Sequence, residues 1–202
     1  MNAALQPVTL QGSLVRLFPL QREHAAALWQ AGAHPTLWAL QPRPIQSLAD
    51  MQAYVDTALE DQSRGLGLPW VTVDLRTDTI VGSTRLMDIA LAHSRVEIGA
   101  TWLSPTMQRS GINMEAKLLQ FTHVFETLGL ERVVFKTEAK NSASREAILK
   151  LGAVQEGIFM RHLRADDGRW RDMVYFAMLR EQWPSCKQRL QERLARAQKE
   201  SP

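Results

Sequence analysis

Between Val96 and Phe135 the chain alternates strand-like, helix-like and strand-like stretches, and this unit does most to narrow the folds open to it. Val96-Glu97-Ile98-Gly99-Ala100-Thr101-Trp102-Leu103 reads as a strand, Ser104-Pro105 as a turn and Met114-Glu115-Ala116-Lys117-Leu118-Leu119-Gln120-Phe121 as a helix. Arg132 to Glu138, centred on Val133-Val134-Phe135, reads as a buried strand. A strand-helix-strand unit permits one parallel pairing, whereas strands joined by short turns pair antiparallel. In the middle of the unit, Gln108-Arg109-Ser110-Gly111-Ile112-Asn113 sets a polar, glycine-containing loop at the start of the helix. Unpaired backbone N–H groups and the positive end of the helix dipole suit such a place to phosphate. The loop is no Walker A, since no Gly-Lys-Ser/Thr follows, and it lacks the three spaced glycines of a Rossmann fingerprint. A phosphorylated cofactor held mainly by main chain is the expectation.

The rest of the chain supplies the other layers. Gly12 to Leu20 is predicted as a first strand and Gln21 to Ala31 as a helix, with the proline-rich stretch His34 to Pro44 a loop. Ser47-Leu48-Ala49-Asp50 has capping-box spacing, which predicts a helix running to about Ser63. Leu68 to Leu75 and Thr79 to Met87 form a hairpin pattern around Arg76-Thr77-Asp78, and His93 to Leu103 is the strand before the loop. Helices are expected over Asn113 to Leu128 and Ser142 to Leu151, stopped by Gly129 and Gly152. Val154 to Arg164 and Arg169 to Leu179 read as strands around Ala165-Asp166-Asp167-Gly168, and a last helix starts near Pro184. The order β-α-α-β-β-β-α-β-α-β-β-α predicts an α/β chain of mixed α+β character.

Composition excludes several classes. The 202 residues, 45% hydrophobic and 22% charged, suit one globular domain over 1–202. No apolar run is long enough to cross a bilayer, and Met1 to Pro7 lacks the basic and apolar blocks of a signal peptide. The single cysteine, Cys186, allows neither an internal disulfide nor a cysteine-based zinc site. His93, His123 and His162 lack metal-ligand spacing, so they are expected on the surface or in packing, and no metal is expected. A cytoplasmic protein is the expectation. The net charge of +3, from 24 basic and 21 acidic residues, gives no case for nucleic acid. The basic excess is partly local, in a C-terminal helix or tail over 184–202.

Taken together, the motifs resemble the Gcn5-related N-acetyltransferases (GNAT), and within them the ribosomal-protein N-terminal acetyltransferases of the RimJ/RimL type. The residues that carry the likeness are Leu14-Val15-Arg16-Leu17, Val96-Glu97-Ile98-Gly99, Trp102-Leu103-Ser104-Pro105, Gln108-Arg109-Ser110-Gly111 and Asn113-Met114-Glu115-Ala116-Lys117. Asn141-Ser142-Ala143-Ser144-Arg145, Leu151-Gly152-Ala153, Glu156-Gly157 and Arg171-Asp172 extend it into the second half. The resemblance implies a central, mostly antiparallel sheet with helices on both faces and two middle strands that splay apart. It also implies acetyl-CoA as cosubstrate, with the pantetheine arm in the splay and the pyrophosphate on the loop.

By the same resemblance, the cofactor site comprises Thr101, Trp102, Leu103, Gln108, Arg109, Ser110, Gly111, Ile112, Asn113, Asn141 and Ser144. Glu97 is implied as the general base for the amine, and Ser144 as the group that meets the departing sulfur. Read without the resemblance, Glu97 is a solvated strand residue, while Ser144 and Asn141 are helix caps. Lys117 shares a helix face with Asn113, either neutralising phosphate or solvated, and Arg164 and Arg169 flank a turn and are expected to be solvated. Trp29, Trp38 and Trp70 are expected in the core, with the acceptor pocket as the alternative.

The chain departs from the family pattern in three places. Asn113 stands where a small residue is usual, Ile148 where many members carry a tyrosine acid, and Gly152-Ala153 where Gly-Phe is usual. The expected function is acetyl transfer to a primary amine, either a protein N-terminus or a small molecule, with a homodimer allowed and neither nucleic acid nor membrane as partner. The missing tyrosine keeps a non-catalytic acyl-CoA-binding or sensing domain as the alternative.

Overall fold

A computed structural model describes residues 6–41 and 43–200, the side chains of 199 and 200 excepted. Residues 1–5 of the N-terminal stretch read above, position 42 of the predicted loop and residues 201–202 of the C-terminal tail lie outside the described residues.

The strands are β1 (Leu10–Gln11), β2 (Val15–Pro19), β3 (Leu68–Asp74), β4 (Thr79–Ala90), β5 (Arg95–Leu103), β6 (Arg132–Glu138), β7 (Val154–Arg164) and β8 (Trp170–Leu179). The helices are α1 (Ala25–Gly32), α2 (Pro35–Trp38), α3 (Leu48–Ser63), α4 (Ile112–Thr122), α5 (Ser142–Lys150) and α6 (Trp183–Glu200). All strands join one eight-stranded sheet in the order β1-β2-β3-β4-β5-β6-β8-β7. Its one parallel pair is β5 with β6, as the strand-helix-strand unit required. Ser47 Oγ accepts the N–H of Asp50 at 3.1 Å, so α3 starts on the predicted cap.

Three local features differ from the sequence expectation. The two-residue β1 has too little pattern to register in sequence. A single helical turn, α2, lies inside the predicted loop, with Pro35 at its first position, where proline's missing N–H is harmless. The helix expected over Asn113 to Leu128 narrows to α4 and then widens into a π turn at His123–Thr127, closed by Leu128 N–H to His123 O at 2.8 Å. Through this change the ring of Phe125 stays stacked on Phe121, with centroids 6.0 Å apart.

Helices cover both faces of the sheet. Against α4, α5 and α6, the core gathers Trp70, Leu86, Val96, Ile98, Phe121, Phe125, Phe176 and Trp183. Against α1, α2 and α3 a second cluster holds Leu28, Trp38, Met51, Val55, Val71 and Trp102. β3, covered on both sides, is buried along its whole length. The basic helix α6 joins the core through Trp183, Cys186, Leu190 and Leu194.

One charged side chain ties the N-terminal strand to the site helix. The buried carboxylate of Glu115, on α4, accepts Ser13 N–H at 3.0 Å, Ser13 Oγ at 2.8 Å, Leu14 N–H at 2.7 Å and Val15 N–H at 2.8 Å. Gly12 leaves it room, since a Cβ there would stand 2.4 Å from Glu115 Cδ. Glu115→Gln keeps the shape but turns one acceptor into a donor that faces donors. Losing charge-assisted bonds and stranding buried N–H groups should cost about 2–4 kcal/mol. Thermal denaturation should therefore show a drop of roughly 4–16 °C for a chain of this size. An unchanged melting temperature would remove Glu115 from that role.

Candidate active site

β5 and β6 pair over Arg95↔Arg132, Val96↔Val133 and Glu97↔Val134, and then part. Beyond Glu97, β5 remains bound on its other edge to β4, where Gly99 faces Arg85 and Trp102 faces Ser83. Between those pairs Ala100 and Thr101 stand opposite the single residue Thr84, which makes a β-bulge. Ala100 takes the left-handed conformation, φ +46°, that the bulge requires. The split leaves two facing backbone edges without ladder partners, at the end of the sheet where α4 and α5 begin.

The loop predicted to hold phosphate lies at that end. Arg109 (φ +65°) and Gly111 (φ +86°) are both left-handed and alternate with ordinary backbone. Such alternation turns successive N–H groups into one concavity, a nest for anions. Gly111 caps α4 without any side-chain hydrogen bond, so no side chain takes the first N–H groups of the helix. Ser110 Oγ donates to Met107 O at 2.6 Å and Gln108 Nε2 to Leu103 O at 3.5 Å, both shaping the loop rather than filling it. Arg109 is exposed, Ile112 is core, and Asn113 Oδ1 is buried without a hydrogen-bond partner. The side chains of Trp102 and Leu103 are buried in the two cores, so only their main chain is left for a ligand in the split.

Glu97 is on the face opposite Val96 and Ile98, as alternation predicts, but it is buried rather than solvated. Its Oε2 meets Lys136 Nζ, on β6, at 2.7 Å. Burial works against the Lys136 ammonium, yet the hydrogen bond and the charge of Glu97, with help from Tyr175 and Asp88, outweigh it and raise the lysine pKa. Beyond Lys136, Tyr175 Oη on β8 shares a 2.8 Å hydrogen bond with His162 Nε2 on β7. Glu138, at the end of β6, is ion-paired with both Arg169 and Arg171. The expected solvation of Arg169 is thus corrected, since a buried carboxylate captures it.

On the other side of the split, Asn141 Oδ1 accepts Ser144 N–H at 3.0 Å and so caps α5. The hydroxyl of Ser144, half-buried in the first turn, bonds no described residue. Ile148 is core, so the position of the usual tyrosine has no polar group.

Lys117 is where expectation and structure differ most. It neither faces the loop nor meets solvent. Its Nζ donates to Thr101 Oγ1 at 2.7 Å, Gln120 Oε1 at 2.8 Å and Thr84 Oγ1 at 3.1 Å, pinning α4 beneath the bulge. No carboxylate of the described residues pairs with it.

The family profile of the Acetyltransferase (GNAT) domain matches residues 15–154. The chain belongs to the GNAT acetyltransferase family. It is therefore an N-acetyltransferase. A Bacillus subtilis protein with a provisional ribosomal N-acetyltransferase name, YdaF, is 24% identical over 173 residues, covering 74% of this chain and 93% of its own. The crystal structure of a GCN5-related N-acetyltransferase from Brucella melitensis superposes with a TM-score of 0.87 at 28% identity, covering 94% of this chain and 86% of that one. Mycobacterium smegmatis RimJ, solved in complex with CoA-disulfide, shares the fold with a TM-score of 0.78 at 24% identity, covering 92% of this chain and 94% of its own.

GNAT enzymes take their acetyl group from acetyl-CoA. The residues here fit that substrate: two open backbone edges suit the amide-bearing arm, and a nest at an uncapped helix suits the pyrophosphate. Among the described residues no three potential ligands cluster in a way that could hold a metal. No helix among them is long and apolar enough to cross a membrane. Sequence reasoning did not single out Lys136 or Tyr175 and placed His162 only on the surface or in packing, whereas the structure joins the three beside Glu97. Their alternation along β6, β7 and β8 could have placed them on one face, but only pairing across strands brings them together.

Burial pushes the Lys117 pKa down to about 7. Between about pH 7 and the ordinary lysine value near 10.4, the unfolded chain binds a proton that the fold does not. Stability at this site therefore rises with pH across that window, and the full cost of burying the charge is present below it. Melting temperatures of the wild type and Lys117→Met should show the wild type gaining on the variant from pH 6.5 to 9. A constant difference would assign Lys117 an ordinary pKa.

Proposed function

We propose that this GNAT enzyme transfers the acetyl group of acetyl-CoA to a primary amine by direct attack, within a single N-acetyltransferase domain. The observation that carries the reading is the parting of β5 from β6 after Glu97, directly above an anion nest at the start of α4. In this reading the main chain of Thr101, Trp102 and Leu103 lines the arm of the cosubstrate. Gln108 to Asn113 hold the pyrophosphate, with Arg109 adding a peripheral charge.

Glu97 takes the proton that the amine loses as its nitrogen bonds to the acetyl carbon. The bulge at Ala100 aims main chain at the oxygen on which negative charge develops, where a preorganised donor has most effect. As the carbon–sulfur bond breaks, Ser144 stabilises the sulfur by hydrogen bonding, and the thiolate regains a proton from solvent. No covalent intermediate with the protein is needed. Glu97 is suited to the role of base by its place beside the split and by the Lys136 contact that fixes its carboxylate. The likeness to YdaF and to RimJ supports a protein N-terminus as one acceptor class, and a small amine is the other. The cytoplasm is the proposed compartment.

Glu97→Gln should lower turnover with an accepted amine by roughly 10²–10⁴-fold at neutral pH while acetyl-CoA affinity changes little. The deficit should shrink as pH rises, because more of the free amine is already neutral. Thiol release and calorimetry on both proteins measure this. Full activity in the variant across the pH range would leave Glu97 a structural partner of Lys136.

A further inference from the structure

Arg85 stands on β4 opposite Gly99 of β5, and it is only 7% exposed. Its guanidinium lies over the ring of Tyr54, on α3, with Cζ 4.6 Å from the ring centre. It donates no hydrogen bond and makes no ion pair to any described residue, and its Nε is buried without a partner. An arginine presents five N–H donors and stays charged. A buried charge normally finds a counter-ion, because its lost hydration is otherwise uncompensated. The other cations of this face have theirs: Lys136 is paired with Glu97, and Arg169 and Arg171 with Glu138.

Arg85 lines a cavity of about 260 Å³, shared with Ala58, Asp61, Met87 and Asp88. Asp88 is taken by Arg95 at 2.7 Å. Asp61 forms no ion pair with a described residue, so the wall holds one free charge of each sign. The cavity adjoins the reacting end of the site. Met87 pairs with Glu97, and Tyr54 Oη approaches the carbonyl oxygen of Ala100 in the bulge at 3.5 Å. Arg85 and Glu97 project from the same face as diagonal neighbours, roughly 7 Å apart at the strand. Gly99 lets Met87 Sδ and Glu97 Oε1 close in over the strand between them, since a Cβ there would stand 2.9 Å and 3.0 Å from those atoms.

We propose that the acceptor is a small amine that also carries an anionic group, a carboxylate or a phosphate, and that Arg85, backed by Tyr54, binds that group while the nitrogen faces Glu97. The inference rests on the acetyltransferase reading of the site and names the substrate class within it. The anionic group of such a ligand supplies the counter-ion that Arg85 lacks. A neutral peptide N-terminus would leave Arg85 without a counter-ion.

The test uses matched pairs of probes on the full chain saturated with CoA. These are ω-amino acids of two to five carbons against their amides, 2-aminoethyl phosphate against ethanolamine, and a neutral N-terminal tripeptide amide. Calorimetry measures binding, and thiol release from acetyl-CoA measures turnover. A charge-assisted contact to a buried guanidinium should make the anionic member bind about 10- to 100-fold more tightly than its neutral partner. The carboxylate and phosphate arms tell which anion the site takes. Arg85→Met should erase the difference within each pair, and Arg85→Lys, which keeps the charge but not the fork, should keep part of it. Equal binding of the pair members to the wild type, a difference that survives in Arg85→Met, or tighter binding of the tripeptide amide would overturn the proposal. Failure to bind CoA would instead overturn the acetyltransferase reading, and the two results are separable because CoA binding is measured first.

Discussion

A sheet that stops pairing in its middle must satisfy two backbone edges in some other way, and the rest of this molecule is arranged around that requirement. β5 and β6 are parallel, so their C-terminal ends lie on the same side of the sheet, and the helix that follows each one starts at the split. Both helices bring unpaired N–H groups to the same crevice. The bulge at Ala100 bends β5 away while β4 keeps hold of its other edge. Lys117, bound to Thr84, Thr101 and Gln120, locks α4 under the bend, and Glu115 two residues earlier ties the same helix to the start of β2. A gap that would weaken an ordinary sheet is here braced from behind by one helix.

Charge is distributed unevenly between the two sides of the sheet. The α4 side holds a lysine with three neutral oxygen partners, an arrangement that burial makes costly when the lysine is protonated. The opposite side holds ion pairs, Glu97 with Lys136 and Glu138 with Arg169 and Arg171, next to the unpaired Arg85. Buried pairs add little net stability, because desolvation offsets attraction, but they hold side chains in defined places. For the base proposed at Glu97 that definition matters more than the energy, since a base acts only within reach of the proton it takes.

Much of this was legible in the chain itself. The β6 boundaries, Arg132 to Glu138, follow from an apolar run between a glycine-ended helix and a polar turn, and the Ser47 cap marked the start of α3. Gln108 to Gly111 marked the start of α4, because a glycine before a helix leaves the same unpaired N–H groups in any fold. Such features depend on residues close together in sequence, so pattern and composition are enough to find them.

What depended on the fold was the partner of each charge. Nothing in the sequence distinguishes Lys117, which lies under the bulge, from a solvated lysine of an amphipathic helix, because its three partners come from α4, β4 and β5. Glu97 reads as an exposed strand residue until β6 brings Lys136 within 2.7 Å. Arg85 is ordinary in its own strand and becomes singular only because no element among the described residues brings it a carboxylate. Local sequence sets backbone geometry through short-range sterics and hydrogen bonding, whereas the state of a buried charge is set by whatever distant segments place beside it.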